Sequence, residues 1–99
     1  MTHDAISSWA SGKPNIRRVW VFGSGPKGAP KDDGEIDAAV EIDQLGTSAE
    51  TQLAWMYATG AWLQELQALT SRPVDLHRYG EPHVDERVRQ SGILIYERK

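Results

Sequence analysis

A chain of 99 residues suits one compact domain with a single core and leaves no room for a second independent one. A formal net charge of -3 and a pI near 5.5 give no basic footprint for duplex nucleic acid, and the absence of cysteine excludes a disulfide framework or a thiolate metal site. No long apolar segment suggests a membrane span or a signal peptide, so a soluble, cytoplasmic protein is expected.

Thr2 is suited to cap a short helix in which Ile6 and Trp9 lie three apart on one face, and Ser11-Gly12-Lys13-Pro14 ends it. Ile16 to Phe22 is dense in β-branched and aromatic residues, which predicts a buried strand with a sharp exit at Gly23. Gly25 to Gly34 holds two prolines and several turn formers and reads as loop. A second apolar run, Ile36 to Ile42, reads as the next strand, entered through Glu35 and Asp37.

Those three pieces make one candidate site. Gly23 and Gly25 free the backbone to point successive N–H groups at an anion, and Ser24 adds a hydroxyl donor, so the turn suits a phosphate. Lys27 and Lys31, with Arg17 and Arg18, concentrate positive charge around it. Glu35 and Asp37 are two apart on a strand and project to the same side, where their oxygens suit a magnesium ion held against that phosphate.

Ser48 begins the longest helical pattern, as its N-cap, and Ser71-Arg72-Pro73 ends it after about Leu69. Leu53, Met56, Leu63 and Leu66 form a stripe suited to the sheet, whereas Trp55, Trp62 and Leu69 recur every seven residues along a second line. Either the first helix or the C-terminal segment covers these tryptophans, or the Trp55/Trp62 face is a surface for a homo-oligomer or another partner. Pro73 to Tyr79 alternates as a half-buried strand, with Val74, Leu76 and Arg78 on one side and Asp75, His77 and Tyr79 on the other. Asp75 thereby shares the side of the acidic pair. Glu81-Pro82 opens a short helix with Val84 and Val88 four apart, Gly92 stops it, and Ile93 to Tyr96 is the last strand. His3, His77 and His83 are too scattered for a metal site and read as surface or core residues, although His77 reaches the face of Asp75.

Gly23-Ser24 followed by Glu35-Ile36-Asp37 resembles the signature of the polymerase-β-like nucleotidyltransferases, and the short chain resembles their minimal bacterial members, the MNT proteins. Gly28 matches the later glycine of the family loop, Val74-Asp75-Leu76 looks like the strand with its third carboxylate, and Gly92 to Tyr96 looks like its closing strand. The resemblance implies a single minimal nucleotidyltransferase domain over residues 1–99, with an α/β (α+β) fold: a mixed sheet of about four strands with helices mainly on one face. It implies catalytic carboxylates at Glu35, Asp37 and Asp75 that hold magnesium or manganese, and ATP as donor, gripped at Gly23, Ser24, Lys27 and Gly28. The implied reaction moves AMP to a hydroxyl acceptor. Short members paired with helical HEPN toxins imply a HEPN-type partner, with a tyrosine of that partner as acceptor. Two positions depart from the family pattern: Glu35 stands where it usually has aspartate, and Gly25 where a basic residue often follows the serine. They support an alternative, a catalytically degenerate member that serves as a partner-binding module or antitoxin.

Overall fold

The computed structural model describes residues 2–22, 36–44 and 46–98. They form α1 (Thr2–Ser11), β1 (Ile16–Phe22), β2 (Ile36–Ile42), α2 (Ser48–Thr70), β3 (Val74–Arg78), α3 (Pro82–Ser91) and β4 (Ile93–Glu97). Each expected element is present, with ends moved by no more than one or two residues. The sheet runs β3-β2-β1-β4, antiparallel except for the β2–β3 pair, which is parallel and is joined by α2 as its crossover. The fold is therefore the expected mixed sheet of four strands.

The two faces of the sheet are filled differently. On one, Ile6, Trp9 and Ala10 of α1 and Trp55, Trp62 and Leu66 of α2 pack against Val19, Val21, Ile36, Val40 and Val74. On the other, Val84 and Val88 of α3 close over Phe22 and Ala39, with Trp20 and Tyr79 stacked beside them at 4.2 Å between ring centroids. Two helices thus lie on one face and one on the other. The second, smaller cluster matters most for function, because it lies on the side of the sheet that carries Asp37. Gly92 lets α3 turn directly into β4: a Cβ there would stand 2.5 Å from the Val88 carbonyl oxygen, closer than any side chain tolerates.

Two expectations for α2 are corrected. Its N-cap is Thr47, not Ser48: Thr47 Oγ1 accepts from the Glu50 N–H at 3.1 Å, and Glu50 Oε1 accepts from the Thr47 N–H at 3.2 Å. This reciprocal box needs an acid or amide three residues after the cap, which Thr47 has in Glu50 and Ser48 lacks in Thr51. Thr47→Ala is expected to cost about 1 kcal/mol, lowering Tm by about 4–8 °C for a chain of this size, measurable in a thermal melt.

The apolar stripes are also corrected in part: Leu66 of the first is buried and Leu63 packs against the core as expected, but the other members differ, and Leu69 of the second is 52% exposed. Trp55 and Trp62 are 7% and 6% exposed, whereas Leu53 and Met56, expected on the sheet, are 51% and 64% exposed. Trp62 meets Trp9 of α1 edge-to-face at 5.8 Å between centroids and meets Trp55 at 6.0 Å. The helix is apolar on nearly every side, so periodicity alone does not choose its inner face; burying two indoles removes far more apolar surface than burying a leucine and a methionine. Of the two readings for the tryptophans, cover by the first helix is the one seen: the Trp55/Trp62 surface is used inside the chain, under α1, and is not left for a homo-oligomer. The large apolar residues that remain outward on α2 are Leu53, Met56, Tyr57 and Leu69, with Tyr57 85% exposed. Among the described residues no helix is long and apolar enough to cross a membrane.

Candidate active site

Strand register assembles the acidic group. In the parallel pair β2–β3, Asp37 stands opposite Asp75 and Ala39 opposite His77. Because side chains alternate across a strand, Asp37, Asp75 and His77 share one face, the one covered further along by α3. One donor atom from each lies within 4.8 Å of the others. His77 Nε2 is 3.2 Å from Asp75 Oδ2 and 3.8 Å from Asp37 Oδ1. Neither approach has hydrogen-bond geometry, so among the described residues Nε2 is a buried nitrogen without a hydrogen-bond partner.

The cluster grades from inside to outside. The Asp37 side chain is 7% exposed, that of His77 21% and that of Asp75 51%. Burial, the largest influence, pushes the Asp37 carboxyl above the ordinary aspartate range. His77 and Arg87 pull it back, and the neighbouring charge of Asp75 adds to the rise. Below the cluster, the Phe22 ring lies 5.4 Å from the His77 ring, and the Arg87 guanidinium of α3 stands 4.9 Å from the Phe22 centroid. Arg87 thereby brings a cation to the edge of the acidic group.

Asp37 and Asp75, expected to belong to one site, are brought together. His77, expected as a surface or core residue, joins them and corrects that reading; its spacing of two from Asp75 was the available signal. Arg87 was not singled out, since nothing in the sequence brings α3 over the end of β1. Gly23, Ser24, Gly25, Lys27, Gly28, Lys31 and Glu35 lie outside the described residues. The flanking strands fix where that segment begins and ends: β1 stops at Phe22, whose register partner is Asp37, and β2 starts at Ile36. A separate cleft of about 300 Å³, lined by Arg17, Glu41, Arg78 and Tyr79 among others, opens at the far end of β2 and includes no member of the acidic group.

The donor set fits a divalent ion. Ligands about 2.1 Å from a six-coordinate metal stand about 3.0 Å apart when adjacent and about 4.2 Å apart when opposed, and the two His77 separations, 3.2 and 3.8 Å, fall between these limits. His77 Nε2 is a further donor atom that a divalent ion could take.

Known proteins give this geometry its context. The family model described as "Polymerase beta, Nucleotidyltransferase" matches residues 4–99. Among solved structures, the chain is similar to a toxin–antitoxin with AMP-PNP, at 17% identity over 100% of this chain and 76% of the other, with a TM-score of 0.72. It is similar to a tri-AMPylated Shewanella oneidensis HEPN toxin in complex with its MNT antitoxin, at 18% identity, 98% and 71% coverage and a TM-score of 0.68. It is also similar to a MntA toxin–antitoxin mutant with two aspartate-to-glutamate substitutions, at 18% identity, 100% and 75% coverage and a TM-score of 0.69. No curated protein matches the sequence. Likeness at such identities speaks for the fold, and the sequence match speaks for descent: spanning nearly all of the chain, it means that this protein belongs to the polymerase beta nucleotidyltransferase family.

Proposed function

We propose that this protein is a single-domain, metal-dependent nucleotidyltransferase that moves AMP from ATP to a hydroxyl on a helical, HEPN-type protein partner, with a tyrosine as acceptor. The observation that carries the reading is the register pairing of Asp37 with Asp75 at the end of the sheet where β1 stops and the Gly23-Ser24 segment begins. Membership of the family supports the reaction type. The AMPylated toxin and the AMP-PNP of the similar structures support the donor and the partner class.

In this reading Asp37 and Asp75, joined by Glu35, hold magnesium or manganese, and Gly23, Ser24, Lys27 and Gly28 grip the triphosphate. The ion, when bound, offsets negative charge on the phosphate oxygens. The acceptor oxygen bonds to the α-phosphorus as the bond from that phosphorus to the bridging oxygen breaks, and pyrophosphate leaves. Asp75 is half-exposed and therefore within reach of an acceptor arriving from solvent; it takes the hydroxyl proton. Lys27 or Lys31 offsets charge on the leaving pyrophosphate, and Arg87, a cation beside Asp37, steers the triphosphate. The outward Leu53, Met56 and Tyr57 of α2 are the apolar surface that suits a helical partner.

Calorimetric titration of ATP into the purified protein, with magnesium and then with excess chelator, tests the proposal. Binding with a micromolar to millimolar constant that disappears with chelator is the expected result. No binding in either condition would favour the alternative, a degenerate antitoxin that keeps fold and partner contact, for which Glu35 in place of aspartate is the supporting feature. Restoring the usual residue with Glu35→Asp then separates the two: a gain of transfer activity marks a decayed site, and a loss marks a glutamate already fitted to the metal.

A further inference from the structure

We infer that His77 is a direct nitrogen ligand of the bound metal and that it makes this centre select a manganese-class transition ion over magnesium. The inference rests on the metal-dependent function proposed above and deepens it. Geometry comes first: the three donor atoms lie within 4.8 Å of one another, with Nε2 3.2 Å from Asp75 Oδ2 and 3.8 Å from Asp37 Oδ1. A bound ion can therefore touch all three without the strands moving apart. The second observation is that Nε2 is buried and, though 3.2 Å from Asp75 Oδ2, makes no hydrogen bond among the described residues. Leaving a buried polar nitrogen alone is costly, and coordination would satisfy it.

His77 is also held in place. Its backbone is fixed by pairing β3 to β2 at Ala39, and its ring leans on Phe22 at a 47° tilt, so the imidazole stays aimed at the carboxylates. The chemistry then decides the ion. Magnesium takes oxygen ligands and keeps several waters, whereas imidazole nitrogen suits transition ions, and manganese accepts both carboxylate and imidazole. A set in which one neutral nitrogen stands beside the carboxylates is less favourable for magnesium than an all-oxygen set.

A histidine that merely steadied the two aspartates would leave a different trace. The test loads the full-length protein with Mn²⁺ and records electron spin-echo modulation, and in parallel titrates Mn²⁺ and Mg²⁺ separately into wild type and His77→Gln. Nitrogen-14 coupling from a directly bound imidazole is expected in the wild type. His77→Gln should lower manganese affinity by about tenfold or more with little change for magnesium, so that the preference between the ions collapses. The spectrum of the wild type needs no variant and so survives a failure of His77→Gln to fold. Manganese bound without nitrogen-14 coupling, or an unchanged preference in the variant, would overturn the role of His77 while leaving the proposed reaction intact. Failure of both ions to bind the wild type, with or without ATP, would overturn both.

Discussion

Asp37→Asn is expected to lower metal-dependent ATP affinity by about a hundredfold or more and, at neutral pH, to make the metal-free protein more stable than the wild type. The first effect follows from position: Asp37 is the innermost carboxylate of the cluster, opposite Asp75 and within reach of His77. The second follows from burial. Desolvation is the largest influence on its carboxyl and raises its pKa, so the ionised form is less at ease in the folded protein than in the unfolded chain. Above the folded-state pKa that mismatch subtracts from stability in full. As pH falls through the raised pKa, the folded protein takes up a proton before the unfolded chain does, and the penalty fades. Asparagine removes the charge at every pH. The expected result is therefore a higher Tm for the variant at pH 7, with the gain shrinking as pH falls toward 4. Thermal melts of the two metal-free proteins across that range check it. A variant less stable than wild type at pH 7 would show that attraction to His77 and Arg87 outweighs desolvation.

In the proposed reading such a residue serves function at the expense of stability, which bears on how much of the protein can be read from its sequence. Strands were legible because short runs such as Ile36 to Ile42 are bounded by loop-forming residues and cannot be confused with anything longer. Asp37 and Asp75 were legible because a period of two assigns their faces once the strands are known. Their direct juxtaposition was not, since register between strands separated by the 23 residues of α2 is set by packing of that helix and not by either strand. The inner face of α2 was misread for a related reason. Its residues are apolar all round, and only the arrival of Trp9 from α1 decides that Trp55 and Trp62 turn inward while Leu53 and Met56 stay in water. The N-cap was in fact readable, for Thr47 followed three residues later by Glu50 carries the stronger signal than Ser48 alone. Arg87 illustrates the remaining limit: a side chain joins a site through tertiary contacts that no spacing encodes.

Trp62→Ala is the substitution expected to damage the fold most. Its ring sits between Trp9 and Trp55, and it belongs to the cluster that joins both helices to the sheet. Truncation of a buried aromatic costs about 3–5 kcal/mol, a large share of the roughly 5–15 kcal/mol that holds a domain of this size. The loss should concentrate on α1. That helix reaches α2 through Trp9, whose Nε1–H donates to Glu65 Oε1 at 2.7 Å, and through Lys13, paired with the same oxygen at 2.8 Å. Exposed pairs of this kind hold little by themselves, so loss of the Trp62 ring removes the edge-to-face contact of Trp9 with α2 and leaves that bond a weak substitute. In urea the midpoint is expected to fall steeply, and a reduced slope would report an α1 already undocked before unfolding. Tyr57→Ala, one and a half turns away on the opposite side of the helix, is the control: at 85% exposure it should change stability by no more than about 0.5 kcal/mol. If Trp62→Ala proved as mild as Tyr57→Ala, the tryptophans would not be core residues and the partner surface would have to be sought on their face after all.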